Sequence, residues 1–346
     1  MNPQIVSTVI VYFTLLNACF AANANNHYVE VADDIERILK LNLYNATALE
    51  TEEYKSTLRA LGSFAEQVKD DREFSSGFKT IWDGGPFSHV NLTIAHQPAS
   101  ELGAKFDSMR LGDDNVSLDW IENTAILTIN SFMGADTKTA LENAYNQIYK
   151  KRAEHLIVDL RGNVGGSLSM LTFVGHLIDG PIDAGVFLNR KWANDNQFPP
   201  TRTYVENIEP FRVQSLNALW LATETEPLIR LQFLPMKPNY GGPVTILTSN
   251  RTASASEVTS DALRGIGRAI LIGEKTEGAM LLQKPFDVVG GFHLFLPVAD
   301  YHSFHSGRIE GKGLEPDIEV PAHNALNFAS RYKQHNKPAS SQKIQD

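Results

Sequence analysis

The chain contains 346 residues, of which 42% are hydrophobic and 21% are charged. This length corresponds to about two domains, and the apolar fraction excludes disorder as the main state. With 31 Lys and Arg against 40 Asp and Glu, the formal net charge is −9. The chain lacks the basic surplus that neutralises a phosphate backbone, so we predict no nucleic-acid partner. A single cysteine, Cys19, excludes internal disulfides and cofactors held by several thiolates.

The first residues have the pattern of an export signal. Residues 5–20 form an uncharged apolar run, too short for a comfortable membrane span, and Ala22-Asn23-Ala24 follows as a cleavage pattern. We predict a signal peptide over residues 1–24 and an exported mature protein, periplasmic or secreted, with no integral membrane span. A buried N-terminal helix is the alternative. Leu16–Cys19 also resembles a lipobox, and use of that box would make Cys19 the site of a lipid anchor.

The chain after the signal divides into a helical part and a longer mixed part. Apolar residues such as Ile35 and Leu39 recur at helical spacing, and a Gly/Pro break follows at residues 83–86. We predict two or three helices before this break. The predicted divisions are a helical domain at 25–95, a core at 96–325 and a polar tail at 326–346.

From residue 123 onward, predicted strands and helices alternate. Buried strand patterns at 155–160 and 244–248 are each followed by a turn and a helical pattern, which is typical of an α/β or α+β core. Residues 185–240 interrupt the alternation, and we predict a lid or inserted subdomain there, with an ordinary surface excursion as the alternative. The other predicted elements are strands at 123–132, 269–273 and 291–297, and helices at 138–150, at 167–178 and up to residue 264.

Ser254 lies between a buried strand and a helix, in the sequence TASASE. A serine at such a junction is exposed at the edge of the sheet. The start of the following helix offers N–H groups and a partial positive charge to a developing oxyanion, as acyl transfer requires. The spacing of Ser254 and Glu257 is equally that of a helix capping box, so this segment alone leaves both interpretations open.

A glycine-rich turn, Gly162-Asn163-Val164-Gly165-Gly166, follows the strand pattern at 155–160. Glycines allow backbone N–H groups to approach a ligand closely, so Gly165 or Gly166 is a candidate oxyanion donor. The turn lacks the spacing of nucleotide-binding loops, and we predict no cofactor. An ordinary tight turn is the alternative.

Four ordered motifs resemble those of the S41 peptidases. They are DLRGNVGG, TASASE, GRAILIGEKTEG and EGKGLEPDIEV. That family includes carboxyl-terminal processing proteases, tricorn-like proteases and the repeats of interphotoreceptor retinoid-binding protein. The resemblance implies a crotonase-like core with Ser254 as the nucleophile. It also implies that the Ala255 amide and a glycine of the turn, Gly165 or Gly166, donate to the oxyanion.

The sequence departs from the processing proteases in two places. Their Ser/Lys dyad takes its lysine from a motif in which this chain has Ala279, so the usual general base is missing. Residues 97–115 are too few for the peptide-binding PDZ domain that precedes the core in those enzymes, and we predict no PDZ domain. The resemblance is therefore closer to the tricorn and retinoid-binding-protein branch.

Tricorn-like members use a histidine base, and the resemblance assigns one here. His89 follows the Gly/Pro break with Ser88 beside it, and Glu310 matches the acidic position before the closing motif. The resemblance implies that His89 accepts the Ser254 proton and that Glu310 or Ser88 orients the imidazole. An ordinary imidazole pKa of about 6.5 suits this exchange near neutral pH.

Other titratable residues near the motifs are rivals for these roles. His302 and His305 are alternative bases, and their spacing matches no metal-binding motif, so we predict no metal. A lysine base would require the family register to slip, and a surface position is the simpler interpretation. The rival lysines are Lys275 and Lys284, and the rival acids are Glu257, Glu274 and Glu277.

These observations predict an exported serine peptidase or related hydrolase that acts on a peptide or protein through an acyl-enzyme, with a small ester as an alternative substrate. The alternative function is a non-catalytic module that binds an apolar ligand, as in the retinoid-binding-protein type. A third hypothesis, an acyl-CoA-processing crotonase relative, is disfavoured by export, because acyl-CoA is intracellular. The apolar cleft of the binding module would lie beneath Trp192, Phe198, Phe211, Trp220 and Phe233.

Overall fold

The structure is a computed structural model. The predicted signal peptide, the lipobox with Cys19, and Phe198 lie outside the described residues. No helix of the described part is long and apolar enough to cross a membrane. The structure describes residues 27–83, 85–167, 169–196, 199–212 and 215–332.

Helices and strands alternate over most of the described chain. The helices are α1 (27–42), α2 (Glu52–Ala65), α3 (Asp71–Trp82), α4 (Ala99–Ser108), α5 (Ala135–Lys150), α6 (Ser169–Gly175), α7 (Arg190–Asp195), α8 (Arg202–Glu206), α9 (Leu216–Thr225), α10 (Ala255–Gly265) and α11 (Ala322–Arg331). The strands are β1 (Asn91–Ile94), β2 (Val116–Ile121), β3 (Thr124–Ile129), β4 (His155–Asp159), β5 (Ile182–Asn189), β6 (Leu228–Phe233), β7 (Val244–Thr248), β8 (Ile270–Gly273), β9 (Leu281–Val288), β10 (Phe292–Ser303), β11 (Gly307–Arg308) and β12 (Ile318–Glu319).

The chain forms two compact units. Among the described residues, unit 1 comprises those up to 101 and those at 283–298, and unit 2 comprises those at 102–282 and from 299 onward. The predicted helical domain at 25–95 therefore lacked the segment 283–298, which returns to unit 1 from far along the chain. No local pattern in the sequence connects that segment to the N-terminal helices.

Unit 1 packs helices against strands that include β1 and the first half of β10. Thr51 and Asp70 cap α2 and α3, since each side chain accepts a hydrogen bond from an N–H of the first turn. The apolar face of α3 includes Phe74, which is fully buried and meets the Phe292 ring edge to face at 5.6 Å. β1 pairs antiparallel with the first half of β10, with Asn91 opposite Phe295.

Unit 2 contains a sheet with the strand order β12-β8-β7-β4-β3-β2. All neighbouring strands in it are parallel except β2, which runs antiparallel to β3. β7 is buried along its whole length, as expected for a strand whose two faces are both covered. Because the strands are parallel, the loops that follow β4 and β7 meet at the same edge of the sheet.

Helix α11 covers part of this sheet and corrects the predicted start of the polar tail. Ala325 and Ala329 of α11 are fully buried against Ile157, Leu247 and Ile272. The described chain is therefore packed as far as the end of α11, beyond residue 326. The small alanine side chains allow this close approach of helix and sheet. The sequence predicts Ala329 in the polar tail because its neighbours in the chain are mostly polar.

The predicted insertion forms part of a second strand group in unit 2. β5 pairs antiparallel with β6 and with the second half of β10, and the helices α7, α8 and α9 connect β5 to β6. Trp192, Trp220 and Phe233 are buried in the described structure. These three aromatic residues are core residues, so they do not line the apolar cleft that the binding-module hypothesis requires. Phe211 borders a cavity of about 250 Å³.

Candidate active site

Ser254 lies at the junction of β7 and α10. Its backbone adopts φ 55° and ψ −122°, a left-handed conformation that a serine rarely enters. Such a conformation costs on the order of 1–3 kcal/mol and persists only where the surrounding structure imposes it. A strained strand-to-helix turn of this kind presents the nucleophilic serine in α/β-hydrolases.

Two loops hold this turn in place through buried hydrogen bonds. Thr252 Oγ1 donates to the Leu160 carbonyl oxygen at 2.9 Å and accepts from the Ser249 N–H at 2.9 Å. The Ala253 N–H donates to the Asn163 carbonyl oxygen at 3.1 Å. The loop after β7 is therefore fastened to the loop after β4.

The glycine-rich turn lies directly against the Ser254 side chain. Gly165 has φ 103°, and a Cβ there would stand 2.6 Å from Ser254 Cβ and 3.1 Å from Ser254 Oγ. Both the backbone angle and the close approach therefore require glycine. Asn163 is fully buried, donates to the Ile129 carbonyl oxygen at 3.0 Å and accepts from the Gly165 N–H at 2.8 Å.

This hydrogen bond corrects part of the predicted oxyanion site. The Gly165 N–H already donates to Asn163, so it is not an available oxyanion donor. Gly166 remains the candidate from the turn. The Ala255 N–H belongs to the first turn of α10, where N–H groups have no acceptor within the helix. Sequence reasoning missed the role of Asn163, although its place before two glycines is a signal for a side chain that caps the turn.

Glu257 is fully buried, and its carboxylate accepts four hydrogen bonds. Oε1 accepts from Thr276 Oγ1 at 2.5 Å and the Gly278 N–H at 2.9 Å. Oε2 accepts from the Ser254 N–H at 3.0 Å and the Ala279 N–H at 3.1 Å. Burial raises the pKa of Glu257, and these hydrogen bonds oppose that shift. Glu257 therefore connects the Ser254 backbone to the segment that contains Ala279.

Glu310 is buried and contacts the next residue of the same segment. Its Oε2 accepts from the Met280 N–H at 2.6 Å. The neighbouring residues Ala279 and Met280 thus donate to two different carboxylates, Glu257 and Glu310. Within unit 2, the segment 278–280 brings Ser254, Glu257 and Glu310 into one connected network.

Ser88 and His89 belong to unit 1, and the structure brings these two side chains together. Ser88 Oγ is 2.6 Å from His89 Nδ1, and His89 itself has φ 61°. Gln283 Nε2 donates to the His89 carbonyl oxygen at 2.8 Å. The backbone of this histidine is thus in a left-handed conformation and its carbonyl group is held by a neighbouring side chain.

Several rival residues have partners of their own. Lys275 Nζ forms a surface ion pair with Glu315 at 2.7 Å. Glu274 Oε1 accepts from the Ala322 N–H at 2.8 Å, at the start of α11. Burial lowers the pKa of His305, which disfavours its protonation near neutral pH. These contacts describe structural roles at the edges of unit 2.

Of the remaining rivals, His302 and Lys284 have neighbouring charged or aromatic groups. His302 Nε2 lies 3.5 Å from Asp300 Oδ2, and Arg308 Nε donates to the same oxygen at 2.6 Å. Lys284 Nζ stands 5.4 Å from the centre of the Phe286 ring. The side chain of Glu277 is exposed. Among the described residues, no three His, Cys, Asp or Glu side chains form a group that could hold a metal ion.

The comparison with known proteins agrees with this architecture. The model of the family described as peptidase family S41 matches residues 123–320, more than half of the chain. The chain belongs to peptidase family S41. The match includes the turn at Gly165, the junction at Ser254 and the acidic residue Glu310.

Individual relatives of this S41 chain point the same way. A carboxyl-terminal-processing protease from Picosynechococcus sp. is 30% identical over 200 residues, which cover 58% of this chain and 40% of that protein. The chain spans about two fifths of the length of the curated relatives it matches.

Solved structures share its α/β fold. A lipoprotein from Streptococcus agalactiae superimposes with a TM-score of 0.56 at 16% identity, over 88% of this chain and 95% of that one. A photosystem II D1 C-terminal processing protease gives a TM-score of 0.51 at 14% identity, over 86% and 93%.

Proposed function

We propose that this S41 chain is a serine peptidase in which Ser254 is the nucleophile, His89 the general base and Glu310 a supporting acid. The observation that carries the proposal is the strained turn at Ser254. This turn places a half-buried serine at the start of α10, with the backbone of Gly165 against its side chain. The order of the S41 motifs supports His89 and Glu310 for the other two roles.

The proposed reaction has two stages. In the first, His89 accepts the Ser254 Oγ proton while the oxygen attacks the carbonyl carbon of the scissile bond. The Ala255 and Gly166 N–H groups donate to the tetrahedral oxyanion, which collapses when the leaving amine takes the proton from His89. In the second, His89 removes a proton from water, whose oxygen attacks the acyl carbon. The ester bond to Ser254 Oγ then breaks, the oxygen regains its proton from His89, and the carboxylic acid product leaves. Glu310 and Ser88 support the imidazole during both transfers.

A reagent that acylates or phosphonylates activated serines tests this assignment. Wild-type protein should be labelled at Ser254, and Ser254→Ala should not be labelled. His89→Ala should lower the labelling rate by about 10²- to 10⁴-fold, because the general base is lost. His96→Ala is the matched control, since His96 is an exposed histidine of the same unit. Equal labelling of His89→Ala and wild type would contradict the proposed base.

The proposed substrate is a peptide or protein, and a small ester is an alternative for the same acyl-enzyme chemistry. Family membership and the processing-protease relatives support peptide cleavage. Turnover of an unstructured protein substrate by the wild type, and its absence in Ser254→Ala, would distinguish cleavage by this serine from cleavage by a contaminant. Ester turnover without peptide turnover would identify a hydrolase with the same nucleophile but a different substrate.

We also propose that the protein is exported. The apolar run at residues 5–20 and the cleavage pattern after it support this localisation. The mass of protein recovered from expressing cells should correspond to a chain that begins at Asn25. A chain that begins at Cys19 and carries added lipid mass would instead identify the lipid-anchored form, and a chain with residues 1–24 intact would contradict both.

A further inference from the structure

Glu257 is a buried acidic group that the proposed reaction does not use. Its four hydrogen-bond partners are the Ser254 N–H, the Thr276 hydroxyl and the N–H groups of Gly278 and Ala279. An ionised carboxylate only accepts hydrogen bonds, at about four lone-pair sites. The three backbone N–H groups can only donate, so the arrangement matches the ionised side chain with all its acceptor sites occupied.

We propose that Glu257, as a carboxylate, is a positioning residue for the reaction at Ser254. The inference rests on the proposed function, in which Ser254 is the nucleophile. In this role the Glu257 carboxylate binds the Ser254 N–H and forms no hydrogen bond with the substrate or with Ser254 Oγ. Glu257 fixes the Ser254 backbone. Through the same carboxylate it also fixes the segment whose Met280 N–H donates to Glu310.

Glu257 acts first on the backbone of the nucleophile. A left-handed serine needs contacts that impose its conformation. Glu257 Oε2 binds the Ser254 N–H, and the Ala253 N–H is bound on the other side by the Asn163 carbonyl oxygen. The N–H groups of Ala253 and Ser254 are therefore both fixed by hydrogen bonds. The next N–H along the chain, that of Ala255, is the proposed oxyanion donor.

Glu257 also holds the segment from Thr276 to Met280. Thr276 Oγ1 donates to Glu257 Oε1 and accepts from the Leu314 N–H at 2.7 Å. The Gly278 and Ala279 N–H groups add two further bonds to Glu257. The following N–H, on Met280, donates to Glu310. A shift of the Glu257 carboxylate would consequently move the partner of Glu310 as well as Ser254.

Electrostatics alone makes the opposite prediction from positioning. A fixed negative charge within a few ångströms of a developing oxyanion opposes that oxyanion, especially in a buried site. If charge were the main effect of Glu257, its neutralisation would accelerate acylation. If positioning is the main effect, neutralisation slows acylation, because an amide replaces one acceptor oxygen with a donor nitrogen and the N–H partners lose their acceptor.

The experiment compares Glu257→Gln with Glu277→Gln, which neutralises an exposed glutamate of the segment from Thr276 to Met280. The labelling rate of Ser254 is measured with kcat and KM for a peptide, and thermal melting monitors folding. We expect Glu257→Gln to lower the labelling rate and kcat by about 10- to 100-fold with little change in KM, because mispositioning acts on the transition state. Glu277→Gln should match the wild type.

Two further variants keep the test decisive if Glu257→Gln does not fold. Glu257→Asp retains the charge, but its carboxylate is shorter by one methylene and no longer reaches the same N–H groups. Thr276→Val removes the hydroxyl that donates to Glu257. Both should label more slowly than the wild type. Folded variants that label at the wild-type rate or faster would overturn the positioning role while leaving Ser254 as nucleophile. A wild type that is not labelled at Ser254 would overturn both proposals.

Discussion

At the scale of single residues, Ser254 depends on a glycine that makes no hydrogen bond to it. Gly165 adopts a left-handed backbone. It also approaches the Ser254 side chain more closely than a residue with a Cβ atom could. The sequence predicted Gly165 or Gly166 as an oxyanion donor. For Gly165 the structure instead shows a glycine that is required for space, because its N–H already donates to Asn163.

Gly165→Ala tests this role against a matched control. Gly267 also has a left-handed backbone, with φ 71°, but a Cβ there would meet nothing within 4 Å. Both alanine variants should lose stability, by about 1 kcal/mol for Gly267→Ala, because alanine is strained at positive φ. Only Gly165→Ala should also abolish labelling of Ser254. Normal labelling of a folded Gly165→Ala would show that the turn can yield without moving the nucleophile.

His176 predicts a pH dependence of stability that is separate from catalysis. It is almost fully buried, its Nδ1 lies 2.7 Å from the Pro238 carbonyl oxygen, and its ring stacks on Tyr145. Burial lowers the pKa of His176 below its ordinary value of 6.5. Below pH 6.5 the His176 imidazole therefore binds a proton more readily in the unfolded chain than in the folded chain. The free energy of unfolding is consequently highest above pH 6.5 and falls as the pH drops below that value.

Denaturant unfolding between pH 5 and 7.5 checks this expectation. His176→Phe should reduce the slope of unfolding free energy against pH below 6.5 by up to about 1.4 kcal/mol per pH unit, the maximum for one proton. The slope is the relevant quantity, because the substitution also removes a hydrogen bond. His323→Phe, at an exposed position, should leave the slope unchanged. An identical slope in wild type and His176→Phe would contradict the expectation.

At the scale of elements, the segment between β8 and β9 is where the motif resemblance predicts the position of the processing-protease lysine. Here it contains Ala279. The Ala279 N–H and the Ser254 N–H donate to the same oxygen of Glu257, so the two nitrogens lie no more than about 6 Å apart. A flexible four-carbon side chain at residue 279 would therefore reach the neighbourhood of Ser254.

Ala279→Lys should consequently restore a base to a protein that lacks His89. We expect the double variant His89→Ala/Ala279→Lys to label at Ser254 at least about tenfold faster than His89→Ala, with a rate that rises as the lysine loses its proton. His89→Ala/Ala279→Met is the control, since methionine has similar length but no amine. A folded double variant with no gain over the methionine control would show that the segment does not direct residue 279 toward Ser254.

Individual helices and strands match their predicted positions where a single local pattern of apolar residues determines the element. The strand expected at 244–248 is β7, and the helix expected up to residue 264 is α10, because a buried strand and an amphipathic helix each have a clear local signature. Trp192, Trp220 and Phe233 were assigned to a cleft rather than to the core for the same local reason. A tryptophan such as Trp220 looks alike in sequence whether it lines a cleft or fills a core.

At the scale of the whole molecule, the family and the α/β core could be predicted, whereas the division into units could not. Four motifs in a fixed order identified the S41 family. Long-range pairing assigned residues 283–298 to unit 1, and nothing within that segment predicts such a pairing. The network around Glu257 was hidden for a similar reason, because its four donors come from positions up to 22 residues away in the chain.

The most direct test of the central claim is to trap the acyl-enzyme. An activated ester is mixed with wild-type protein, the reaction is quenched in acid, and the added acyl mass is located by peptide mapping. We expect one acyl group per chain, on Ser254, and a much lower yield in His89→Ala at the same quench time. An acyl group on any other residue, or none on Ser254 in protein that turns over the ester, would contradict the account.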